Sequence, residues 1–268
     1  MSEEIVNTPR TPSDLVLCKT DQQGVFLLEL NRPEKLNALN KQLLKSLEAL
    51  LRVAHSNPQV HCVVLTGSQK SFSVGADIHD FAQRGLQSYL DRERLEGWRA
   101  IEQFSKPIIA AVNGYAIGGG AELAMICDVV IAGENAKFGQ GEIAIGSIPG
   151  DGGTQRLPRF VGKSLAMQMI LTGQTIDASQ ALRAGLVSEV TPSDQTVTRA
   201  LEIARRIAAL PTLAVQMAKE AVLKAFELPL SEGLAHERTL VEKTFQTEDR
   251  AEGLKAFLEK RKPKFTGR

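Results

Sequence analysis

Apolar and polar positions change rhythm several times along the chain, and each change marks an element. Val16–Thr20 and residues 24–30 carry the short apolar runs of strands, joined by the polar turn Asp21-Gln22-Gln23. Between residues 40 and 55, Leu43, Leu44, Leu47, Leu50 and Leu51 fall on one helical face, with Asn40 placed to cap it. Cys62–Thr66 reads as a buried strand closed by Gly67, residues 71–76 as a Ser/Gly loop, and residues 78–104 as mainly helical. Ile108–Val112 is the next strand, and a glycine-rich helix follows it to Met125. A strand over 128–132, helices over 153–161, 164–171 and 178–184, and a strand over 187–190 come next. From residue 194 the pattern is helical (197–209, 212–225, 230–247, 249–260), broken at Pro211 and Pro229.

Alternating strands and helices over the first 190 residues or so predict an α/β fold with parallel strands. The chain divides into a tail (1–12), a layered core (13–193) and a helical C-terminal region (194–268). At 268 residues it is long enough to bury a sizeable core. Its net charge of +1, with Lys and Arg scattered, argues against a nucleic-acid surface. Cys18, Cys62 and Cys127 form no C-x-x-C pair and sit in apolar runs, as buried thiols of a reducing compartment do. No apolar run approaches the length of a bilayer span, and residues 1–12 lack the apolar stretch of an export signal. These features predict a cytoplasmic protein of enzyme size.

The candidate chemistry centres on residues 113–123. Three glycines, Gly118-Gly119-Gly120, enter a helix, where each costs about 1 kcal/mol relative to alanine, so another group must approach the backbone closely. Peptide N–H groups at a helix start have no internal acceptor and suit a developing negative charge. Glu122 follows at once, and Glu142 lies twenty residues on in another glycine-rich, apolar setting. Together they outline acid–base chemistry on a carbonyl compound. A P-loop and a G-x-S-x-G elbow are absent; Gly139-x-Gly141-x-x-Ala144 lacks the acidic partner of a dinucleotide site. His55, His61, His79 and His236 are too dispersed for a metal cage, so neither a metal nor a separate cofactor is expected.

Five spaced motifs resemble the crotonase, or enoyl-CoA hydratase/isomerase, superfamily. They are Asn31-Arg32-Pro33-Glu34-Lys35-Leu36-Asn37-Ala38, Gly75-Ala76-Asp77-Ile78, the 113–123 stretch, Gly141-Glu142, and Ile148-Pro149-Gly150 with Gly152-Gly153-Thr154-Gln155-Arg156-Leu157. The C-terminal text, 247–253 and 265–268, is similar to that of bacterial phenylacetate-pathway enoyl-CoA hydratases, which act on 2,3-dehydroadipyl-CoA. The resemblance implies a crotonase-like spiral of ββα turns with a helical C-terminal region that assembles trimers or dimers of trimers. It implies hydration of trans-2-enoyl-CoA thioesters, with Ala76 and Gly119 N–H groups as an oxyanion hole and Glu122 and Glu142 as the acid–base pair. Retention of both glutamates favours hydration over the double-bond shift of an isomerase. An RNA-binding or scaffolding role on the same fold is the reading from another class.

The resemblance also places substrate contacts at Lys35, Leu36, Ala38, Asp77, Ile78, Gly118 and Gly150, with Phe257 and Lys260 reaching a neighbouring subunit's nucleotide. The alternative for Lys260-Arg261-Lys262 is a solvated, cationic helix end. Gly141 stands where the family usually has Pro, and Asp151 where it commonly has Ala. Asp151 reads first as an N-cap of the 153–161 helix, and otherwise as a third carboxylate that raises the pKa of Glu142 or meets a polar acyl end. His79 is either an acyl-pocket residue or an exposed helix residue, and Trp98 either covers that pocket or fills the core. Asp80, Arg84, Arg92 and Arg94 are candidates to meet a distal carboxylate, with no register to place them.

Overall fold

The computed structural model describes residues 14–268 and, for backbone only, the strand β1 (Val6–Asn7). The tail reading of residues 1–12 otherwise lies outside the described residues. The elements that follow are β2 (Val16–Thr20), β3 (Val25–Leu30), α1 (Lys41–Ser56), β4 (Cys62–Thr66), β5 (Ser71–Ser73), α2 (Ile78–Arg84), α3 (Leu86–Tyr89) and α4 (Arg92–Glu102). Next come β6 (Ile108–Val112), β7 (Tyr115–Ile117), α5 (Gly119–Ile126), β8 (Val129–Gly133), β9 (Lys137–Gly139), α6 (Gly153–Thr172), β10 (Ile176–Asp177), α7 (Ala178–Arg183) and β11 (Glu189–Thr191). The chain closes with α8 (Thr196–Ala208), α9 (Thr212–Lys224), α10 (Leu230–Thr244) and α11 (Glu248–Leu258).

Two sheets form the core. The larger has the order β1-β2-β3-β4-β6-β8-β11, parallel from β3 onward; the smaller has the order β10-β9-β7-β5, with β9, β7 and β5 parallel. This is the α/β layering that the alternation predicts. The leucine stripe of α1 is buried, and Asn40 caps it by accepting from Leu43 N at 2.9 Å. That stripe joins Phe26, Leu28, Phe72, Leu123 and Phe138 in the main core. On the other face of the large sheet, Ala200 and Ala204 of α8 pack against Val25, Val64, Ile109 and Ile131. Small alanines let the helix axis approach the valine-rich strands.

Several boundaries differ from the sequence reading. The loop expected at 71–76 contains β5, and the stretches around the glycine helix contain β7 and β9. The two helices expected over 153–161 and 164–171 are present as the two segments of α6, separated where Gly162 leaves the helical region at φ +75° and ψ 162°. Pro211 and Pro229 do stand at the expected breaks, as the N-cap residues just before α9 and α10. Cys62 and Cys127 are buried; Cys18 is only partly so. Among the described residues no helix is long and apolar enough to cross a membrane.

Candidate active site

The smaller sheet delivers the site. Because β9, β7 and β5 are neighbours and parallel, their C-terminal ends open on one edge. Ala76 lies just beyond β5, Gly119 just beyond β7, and Glu142 just beyond β9. Leu39 bonds the chain on either side of Ala76: its N–H reaches Gly75 O at 2.7 Å, and its carbonyl accepts from Asp77 N at 3.1 Å. In such a parallel bridge the N–H of Ala76 itself points the other way. A Cβ built on Gly119 would lie 3.6 Å from Ala76 N, and one on Gly75 would lie 2.8 Å from Gly119 N. The two N–H groups are therefore neighbours, and that of Gly119, first residue of α5, has no acceptor inside the helix.

Glu122 sits one turn into α5 and is 1% exposed. Its Oε1 accepts from Gly153 N at 2.6 Å and Asp151 N at 2.9 Å, so the N-terminal turn of α6 grips it. Burial pushes this carboxyl up to about 7; the Gly153 N–H opposes the rise, and the negative charges of Asp151 and Glu142 add to it. Glu142 opens a short 3-10 turn, Glu142–Ile145, behind Gly141 at φ −96°. Its Oε2 is buried without a hydrogen-bond partner, and its pKa is raised by burial and by the charge of Asp151. Gly118 makes room for it. Its φ is +54°, which favours glycine, and a Cβ there would fall 2.5 Å from Glu142 Oε1 and displace that carboxylate.

Ala76, Gly118, Gly119, Glu122, Glu142 and Asp151 line one cavity of about 540 Å³, within the usual size for a small-molecule site. Gly150 and Ile78 line it as well. Other predicted contacts do not. Asp77 caps α2 by accepting from His79 N at 3.1 Å and pairs with Arg32 at 2.7 Å. Lys35 is exposed, Ala38 is buried, and Leu36 borders a separate cleft with Lys70 and Lys137. Phe257 is 80% exposed and Lys260 is exposed, neither on this cavity within the chain. His79 is an exposed helix residue outside the cavity, whereas Trp98 is buried in the core. Among the described residues no group of His, Cys, Asp and Glu could hold a metal ion.

The capping role expected of Asp151 is wrong. Gly152, at φ +110°, occupies the N-cap of α6 with no side-chain cap, and the Asp151 carboxylate pairs with Arg94 instead. A buried guanidinium outcompetes a helix terminus for a carboxylate. Its negative charge does raise both glutamates, as the third-carboxylate reading expects. Arg94 is the residue that sequence reasoning failed to place. The signal was there: Arg94, Trp98 and Ile101 share the buried stripe of α4, so Arg94 faces inward, unlike Arg92. Of the other three distal-carboxylate candidates, Arg92 pairs with Glu96, Arg84 with Asp91, and Asp80 accepts from Ser88.

The enoyl-CoA hydratase/isomerase family matches residues 20–268. The chain is 50% identical over 256 residues to the 2,3-dehydroadipyl-CoA hydratase of Escherichia coli K12, covering 96% of this chain and all of that one. It is also 50% identical over 241 residues to the mitochondrial enoyl-CoA hydratase of Pongo abelii, covering 90% and 83%. Crystal structures of enoyl-CoA hydratase subunit I from Geobacillus kaustophilus and of enoyl-CoA hydratase from Bacillus anthracis superpose with TM-scores of 0.90 and 0.88, both at 38% identity. They cover 95% of this chain in each case, and 98% and 100% of their own. The chain belongs to the enoyl-CoA hydratase/isomerase family and has its crotonase fold.

Proposed function

We propose that this chain catalyses the reversible syn addition of water to trans-2-enoyl-CoA thioesters, giving 3-hydroxyacyl-CoA. The observation that carries this reading is the convergence of two buried glutamates and two neighbouring N–H groups on one cavity. The thioester oxygen accepts from Ala76 N and Gly119 N as it becomes enolate-like, an arrangement in which one donor is typically worth about 10²–10³ in rate. Glu122, held through Oε1, orients water and takes its proton as the hydroxyl adds to C3. Glu142 gives a proton to C2 through its otherwise unpartnered oxygen. A carboxyl near pKa 7 suits an acid–base group at neutral pH. The thioester itself is the electron sink, so the scheme needs no metal or redox group.

The rest of the reading follows the family. Lys35, Leu36 and Ala38 lie along the CoA arm, and Phe257 and Lys260 serve the nucleotide bound to a neighbouring subunit of a trimer or a dimer of trimers. The exposed apolar side chains of α9–α11, among them Leu223, Leu254, Phe257 and Leu258, support such an assembly. We place the reaction in the cytoplasm, in the degradation of fatty acids or of phenylacetate. The test is loss of enoyl absorbance with crotonyl-CoA. Glu122→Gln and Glu142→Gln should each lower kcat by about 10²–10⁴. Activity that survives the first change but not the second would make the chain an isomerase, and no turnover of any enoyl-CoA would end the proposal.

A further inference from the structure

Arg94 is a cation with one bond to spare. The side chain is 7% exposed, and Asp151 takes its Nη2, yet Nη1 is buried without an acceptor. A buried donor left unmatched is costly, because water no longer solvates it. The guanidinium carbon stands 5.8, 5.1 and 6.0 Å from the ring centres of Phe81, Tyr89 and Trp98, and Tyr89 is tied down by donating to Gly150 O at 2.7 Å. Rings attract the cation through their faces but accept no strong hydrogen bond.

The position of Arg94 is informative. It lines the same cavity as Glu122 and Glu142. It is linked to Glu122 through Asp151, whose own N–H lies 2.9 Å from Glu122 Oε1. A single residue, Asp151, therefore joins the guanidinium to the Glu122 carboxylate, through its carboxylate on one side and its N–H on the other. The same cavity is lined by Ile78, Ile145 and Ile148, exposed by 53%, 64% and 65%, an apolar surface suited to the methylenes of an acyl chain. The carboxyls that share the cavity with it are Asp151, Glu122 and Glu142, and Arg156 donates to Asp151 O at 2.9 Å. Of these three carboxyls only Asp151 bonds Arg94, and only through Nη2 of its fork. The opposite edge is open to a second acceptor, as the planar, five-donor guanidinium permits.

We propose that Arg94 reads the far end of the acyl group, selecting short thioesters that end in a carboxylate and receiving that carboxylate on Nη1. The inference rests on the hydratase reading and names its substrate class. A carboxylate reaches Nη1 once the Phe81 ring, on the cavity wall and held by no hydrogen bond, gives way. A plain alkyl end gains nothing from that exchange, whereas a charge-assisted hydrogen bond is worth roughly tenfold to a hundredfold in affinity.

The experiment compares 2,3-dehydroadipyl-CoA with trans-2-hexenoyl-CoA, which has the same chain length and no terminal charge. Wild type should favour the dicarboxylic substrate by at least about tenfold in kcat/KM. Arg94→Met combined with Asp151→Ala removes the pair without stranding either charge, and should bring the ratio to within about threefold, on the same scale. No wild-type preference, or a preference that survives the double variant, overturns the proposal. Calorimetric binding of adipyl-CoA and hexanoyl-CoA to wild type keeps it testable if the variant fails to fold: equal affinities overturn it. Hydration of crotonyl-CoA without dicarboxylic preference defeats this inference alone. Absence of any hydration defeats the hydratase reading, while the binding comparison still decides the role of Arg94.

Discussion

The layered core and the C-terminal helices α9–α11 are built on opposite terms. In the core, strands β4 and β6 are buried throughout, and even a carboxylate, Glu122, is 1% exposed. Along α9 no residue is buried, along α10 only Leu240, and along α11 only Asp249 and Ala256. Helices this poorly covered do not stand by propensity alone. The contrast teaches that the core is buried within one chain, whereas these helices leave apolar side chains exposed, the surface that the proposed assembly would cover.

The sharpest way to break this comparison is to crowd the core. A Cβ on Gly120 would lie 2.0 Å from Ser73 O, so Gly120→Ala should cost more than about 4 kcal/mol or abolish folding, read by thermal unfolding. Charging the helical face should act on assembly instead. If the proposed trimer forms through this face, Leu254→Asp with Phe257→Asp should convert it to monomers in sedimentation while far-UV dichroism stays near wild type. An unchanged mass would show that the apolar face of α11 is not an interface.

Carboxylates sharpen the comparison further. Glu122 has its pKa raised on folding, so the native state binds more protons than the unfolded chain, and stability falls as pH rises between about 4.5 and about 7. Glu122→Gln removes that loss; the change in Tm relative to wild type should be more positive at pH 8 than at pH 5. Glu252 on α11 behaves oppositely. Its hydrogen bond with Arg261 holds it down at about 2, so its contribution is present above the unfolded value and disappears only in acid. The smallest effect belongs to Gly233 in α10, where a Cβ meets nothing within 4 Å. Gly233→Ala should stabilise an isolated chain by about 0.5–1 kcal/mol, and a loss in the oligomer alone would place a partner chain there.

Most of the large elements were legible because their patterns are long. The five leucines of α1 and the capping Asn40 identify that helix unaided. Strands β5, β7 and β9 were not, since Ser-Phe-Ser, Tyr-Ala-Ile and Lys-Phe-Gly are too short to show alternation. Yet these three strands aim the candidate site. The glycine run with Gly119, Glu122 and Glu142 was found through motif chemistry and Ala76 through the family resemblance, and the structure gathers them on one cavity. Asp151 was misread because its partner, Arg94, comes from 57 residues earlier in the chain. Local capping chemistry has no view of so distant a competitor.

The bridge between Leu39 and Ala76 has a spectroscopic consequence. Two of its amide protons, on Leu39 and Asp77, are locked in hydrogen bonds, while the Ala76 amide faces the cavity. In deuterated water the Ala76 proton should therefore exchange early, between two slow neighbours in structure. When an acyl-CoA thioester fills the cavity, the same proton should become slow and shift downfield. A single amide resonance would then report occupancy of the oxyanion position, without any chemistry taking place.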